Sequence, residues 1–93
     1  MAEYSTLHIL NKAPEHPRTG HCLAALAPDD ALLLIENATL LLATQSAPAT
    51  CQLFASAPDI QARGLQADTE QVKTVGYSDM VSLSLAAKRV ISW

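Results

Sequence analysis

Cys22 is the residue best placed for covalent chemistry in this chain. It stands in Thr19-Gly20-His21-Cys22, after a Pro-rich turn and at the expected start of the first helix. The positive end of a helix favours a thiolate, and a protonated His21 would add to that effect. Such a thiolate could take up and release sulfane sulfur as a persulfide, with His21 as its electrostatic candidate. The opposing reading is an inert core thiol, because free cysteine is among the residues most often found inside. Neighbouring positions on a helix also point in different directions, which argues against a direct His21–Cys22 pair. Cys51 opens an apolar stretch and reads as core.

Other reactive arrangements fail on residue type or spacing. His8, His16 and His21 together with Cys22 form no zinc-ligand pattern, and CxxC is absent, so no metal is expected. Glu36, Asp59 and Asp79 adjoin expected elements and read as turn or cap residues rather than a paired-carboxylate site. Arg63 sits near a helix C-terminus, where a cation is favourable, although it could also meet a partner. Gly20, Gly64 and Gly76 are isolated, which gives no phosphate-cradling loop, and no cofactor is expected. There is no serine-nucleophile elbow.

The 93 residues suggest one domain over positions 1–93, with a core but much surface left exposed. A net charge of -3 and six scattered basic residues exclude a strong phosphate-binding track, so direct tight binding to nucleic acid is not expected. The apolar runs stop well short of the roughly 18 residues of a membrane-spanning helix. No basic segment leads into a long apolar signal stretch. Two cysteines do not make a disulfide scaffold, and a reducing cytoplasm is the expected setting.

The elements that must position these groups follow from pattern. Leu7 to Leu10 reads as the first strand and Asn11 to Thr19 as a loop punctuated by Pro14 and Pro17. Thr19 caps a helix through Cys22 to Leu26, and Ala31 to Ile35 is an apolar run suited to a central strand. Ala38 to Ala43 fits a short helix or another strand. Cys51 to Ala55 is the next strand, and a turn at Ser56 to Asp59 leads into a helix stopped at Gly64. Gln71 to Val75 is a shorter strand, and a last helix begins after Ser78 and runs through Met80 to Ala87, with Ser78 or Tyr77 near its cap and Asp79 in its first turn. This alternation predicts an α/β sandwich with a largely parallel sheet. Trp93 is a large aromatic that serves either the core or a partner.

Several ordered segments carry a resemblance. Leu7-His8-Ile9-Leu10-Asn11-Lys12-Ala13-Pro14 is followed by Asp30-Ala31-Leu32-Leu33-Leu34-Ile35-Glu36-Asn37, then by Leu53 to Leu65 with its Ala62-Arg63-Gly64-Leu65 segment. Gly76-Tyr77-Ser78-Asp79-Met80-Val81 and the closing tryptophan complete the set. In order and spacing the chain resembles the DsrH/TusB family. That resemblance implies a small DsrE-like three-layer sandwich working beside TusC-like and TusD-like subunits in a heterohexameric sulfur relay. It further implies a sulfur donor, a downstream TusE-like carrier and 2-thiolation of the wobble uridine of certain tRNAs. The DsrH branch implies sulfur oxidation instead. Cys22 falls near the cysteine of DsrH-type members, while some TusB proteins lack one there and leave sulfur carriage to the TusD-like subunit. Two further readings stand beside the relay carrier: a structural interaction subunit of the same complex, and an isolated thiol redox protein, against which the missing CxxC argues.

Overall fold

The structure, a computed structural model, describes residues 3–44, 50–65 and 71–93. The elements run β1 (Tyr4–Leu10), α1 (Pro17–Ala25), β2 (Ala31–Leu34), a 3-10 helix (Glu36–Leu42), β3 (Gln52–Ser56), α2 (Ala57–Ala62), β4 (Val72–Val75), α3 (Tyr77–Ala86) and β5 (Ala87–Ser92). The five strands form one sheet in the order β4-β3-β2-β1-β5, and every pairing is parallel.

Burial explains the centre of that order. All four residues of β2 are buried, as a strand covered on both faces requires. Leu32 and Leu34 point to one side, where they pack with Leu10, Leu53, Cys22 of α1, Leu41 of the 3-10 helix and Ile60 of α2. Leu33 joins Leu7, Phe54 and Leu83 of α3 on the other side. The result is a three-layer α/β sandwich, with three helical segments on one face and α3 alone on the other among the described residues.

Local chemistry sets the boundaries. Pro17 occupies the start of α1, where its missing N–H costs nothing, and His16 Nδ1 accepts from the Arg18 N–H (3.1 Å) as the cap. The helix therefore begins two residues before the expected Thr19 cap; Thr19 Oγ1 instead donates to the Ala13 carbonyl (2.7 Å) and pins the preceding loop. The run at Ala38 is helical but wound as a 3-10 segment, entered through Glu36 at φ 52°. Helix α2 ends in a paired 6→1 and 5→2 closure, Leu65 N–H to Ile60 O (3.0 Å) and Gly64 N–H to Gln61 O (3.2 Å). Gly64 adopts φ 62°, the left-handed conformation glycine enters without steric cost.

Two boundaries at the end of the chain differ from expectation. The cap of α3 is Gly76, whose N–H donates to Asp79 Oδ2 (3.1 Å), with Tyr77 already helical. The helix then passes at Ala87 directly into β5, an edge strand that the sequence pattern does not reveal. No glycine or proline separates the two elements, and Lys88 and Arg89 lie exposed on the edge. Pairing with β1, from Tyr4↔Ala87 to Ile9↔Ser92, selects the extended conformation.

Candidate functional site

Cys22 is the sixth residue of α1, past the turn over which the helix terminus acts, and it faces the sheet at 0% exposure. Burial, reinforced by the nearby Cys51 thiol, pushes the Cys22 thiol up to about 12. His21, one position earlier, is exposed. The expected pairing of an N-terminal thiolate with an adjacent imidazolium is therefore corrected: α1 starts earlier, so Cys22 sits in mid-helix and turns inward while His21 turns out. Cys51 is half-buried against the same core, and its thiol is also raised, by burial first and the Asp30 charge second. Both thiols are free. In this arrangement they are protonated packing groups rather than nucleophiles.

Beside them lies a buried polar chain that the sequence reading did not assemble. His8, on β1, is 2% exposed, and its Nε2 lies 2.9 Å from Oδ2 of Asp30, itself 5% exposed at the entry to β2. The same Oδ2 accepts from the Ala27 N–H (3.0 Å). Burial alone would raise the Asp30 carboxyl, but hydrogen bonds from His8 and from the Ala27 and Thr6 backbone outweigh it and hold the group below its ordinary range. On the far side of the imidazole, Trp93 Nε1 donates to His8 Nδ1 (3.1 Å), and the rings stack at 6.1 Å and 21°. Trp93 also ties its backbone N–H to the Ile9 carbonyl (2.8 Å) and packs against the Cys22 core. One signal was present in the sequence: His8 shares its strand face with Leu10, so it had to be buried and partnered.

The remaining polar candidates have structural partners. Arg63 reaches Asp59 Oδ1 (3.3 Å) and Asn37 Oδ1 (3.1 Å), so its charge serves the packing of α2 against the 3-10 helix. Asp79 caps α3. Among the described residues no group of three or more His, Cys, Asp or Glu could hold a metal ion. No helix among them is long and apolar enough to cross a membrane.

The opposite face of the sheet is open. Helix α3 buries Met80 and Leu83 but presents Tyr77, Val81 and Leu85 at 73%, 60% and 80% exposure. These residues recur every four positions, one continuous apolar stripe along the helix. Beside α3 a cleft of about 370 Å³ is lined by Tyr4, Phe54, Lys73, Asp79 and Ser82, with Tyr4 set edge-on to Phe54 at 6.2 Å.

Comparison with known protein families matches residues 12–90 to the family described as DsrH like protein. The chain belongs to the DsrH-like family. Membership makes it a subunit of the sulfur-relay type. The DsrH-like region takes in Cys22, Asp30 and all of α3, while His8 and Trp93 flank it on either side. No curated protein matches the chain.

Proposed function

We propose that this chain is a TusB-like interaction subunit of a heteromeric sulfur relay, one that leaves sulfur carriage to a partner's cysteine. The observation that carries this reading is the Cys22 thiol, fully buried and pushed up to about 12. A persulfide carrier must expose its sulfur to donor and acceptor thiols in turn, and must ionise to attack. Cys22 meets neither requirement while α1 lies on the sheet. What the chain offers instead is surface: the stripe of Tyr77, Val81 and Leu85 bears no charge and suits another apolar subunit face.

The occupants proposed for that surface are TusC-like and TusD-like subunits in a heterohexamer. The complex would receive sulfur from a donor and hand it to a TusE-like carrier, supporting 2-thiolation of the tRNA wobble uridine in the cytoplasm. The net charge of -3 agrees with leaving tRNA contact to other components.

Native mass spectrometry of the chain co-expressed with two DsrE-family subunits tests the assembly, with all three chains expected in one complex. Cys22→Ser in that complex tests the division of labour. Retained 2-thiouridine formation is the expected result, whereas complete loss with the complex intact would make Cys22 the carrier.

A further inference from the structure

The chain joining Trp93, His8 and Asp30 fixes the protonation state of its central member. An indole N–H can only donate, so His8 Nδ1, 3.1 Å from Trp93 Nε1, must be a bare acceptor. The single imidazole proton then sits on Nε2, where it is donated to Asp30 Oδ2 at 2.9 Å. Asp30 is held below the ordinary carboxyl range and so remains an acceptor as the solution is mildly acidified. Protonation of His8 would leave the Asp30 contact whole and convert Nδ1 into a second donor, facing the indole donor head-on.

We infer that His8 is a proton-operated latch for Trp93, closed when Nδ1 is bare and opened when Nδ1 is protonated. A proton from solvent forms the Nδ1–H bond; the Trp93 Nε1–H···Nδ1 hydrogen bond breaks, and the indole turns its N–H to water. What the latch holds is the end of β5. Among the described residues that strand pairs only with β1, and past Ser92 its hold consists of the Trp93 N–H to Ile9 bond and the seating of the indole.

The surroundings of the imidazole leave it as the group that changes charge. Asp30 at the entry to β2 is held below the ordinary carboxyl range, Arg89 on β5 is engaged with Thr6 Oγ1 at 3.0 Å, and Lys12 lies beyond β1. The Cys22 and Cys51 thiols over the same face are raised and stay neutral. His16 and His21 are both exposed on the α1 side, away from the indole. Buried aromatic anchors of this kind are what subunit interfaces draw on, so an opened latch would offer Trp93 to a partner; that consequence alone rests on the relay reading.

Trp93 is the only tryptophan in the chain, so its fluorescence reports the latch directly in the isolated protein. Acidification across the range in which histidines ordinarily change charge, about pH 8 to about pH 5, is expected to raise acrylamide quenching of Trp93 roughly twofold. The far-UV circular dichroism should stay constant. His8→Asn should abolish the change, and the double variant His16→Asn/His21→Asn should keep it. Should His8→Asn not fold, ¹⁵N NMR of the wild-type imidazole decides the matter, because the latch requires the Nε2–H tautomer at neutral pH. A proton found on Nδ1, a quenching change that survives His8→Asn, or one that coincides with loss of the circular dichroism signal would overturn the inference.

Discussion

On one face of the sheet, α1, the 3-10 helix and α2 enclose Leu10, Leu32, Leu34, Cys22 and the His8–Asp30 pair; on the other, among the described residues, α3 crosses alone and turns an apolar stripe outward. The enclosed face holds every group with the potential for thiol or proton chemistry that the sequence singles out near the core, yet denies the Cys22 thiol access to solvent. The open face holds almost no such chemistry and displays Tyr77, Val81 and Leu85. On the function proposed above, the difference puts stability on one side of the sheet and association on the other.

The sharpest way to break that comparison is to truncate one leucine on each side. Leu34→Ala, from a fully buried position, should cost about 2–5 kcal/mol in urea unfolding, whereas Leu85→Ala should stay within about 0.5 kcal/mol. Equal losses would show that α3's outer stripe is held inside the folded monomer. Next in size is the buried pair. Asp30→Asn should lower stability by about 1–3 kcal/mol at neutral pH, since it replaces a charged acceptor that serves both His8 and Ala27. The sign of its pH dependence follows from the depressed carboxyl. The stabilisation is present above the unfolded carboxyl range and disappears as acid protonates the folded group, so Asp30→Asn should flatten the acid limb of the stability profile.

The thiols sharpen the comparison at the opposite end of the pH scale. The folded state keeps the Cys22 proton up to about 12 while the unfolded chain gives it up near an ordinary thiol value, so stability should fall as pH rises between the two. Cys22→Ala should remove that alkaline slope. Iodoacetamide should label Cys51 in the folded protein and reach Cys22 only on unfolding; labelling of Cys22 at the faster rate would contradict the enclosed face. The smallest stability effect carries the largest functional one. Val81→Ser should leave urea unfolding within about 0.5 kcal/mol of wild type yet weaken co-purification with DsrE-family partners.

Much of the architecture was legible because it rests on strong local signals. The nearly unbroken run from Ala31 to Ile35 fits a doubly covered strand, which forms over Ala31–Leu34, and Gly64 could be recognised as a stop because a left-handed closure favours that residue. The parallel sheet followed from the alternation of elements. What escaped was non-local. Strand β5 follows α3 with no punctuating residue and owes its extension to β1, some 80 positions earlier in the chain. The His8–Asp30–Trp93 chain is assembled by strand register and by a ring contact across 85 positions, so no spacing rule could announce it. Cys22 shows the finer limit. Its helix was visible, but a three-residue shift of the cap, from Thr19 to His16, changed an N-terminal thiol into a core one.

The sheet order also has a consequence for synthesis on the ribosome. Strand β1 precedes the other described elements, but one of its two edges waits for β5, which follows all of them. During that interval the row of N–H and C=O groups along Tyr4–Leu10 faces outward without a mate, open to any other extended chain nearby. Closing it brings together segments about 80 positions apart, the kind of distant pairing that slows folding. The Ile9–Trp93 bond therefore forms only after the other described elements have been made, and the hazard to be managed is misassociation of β1 before that fastening arrives.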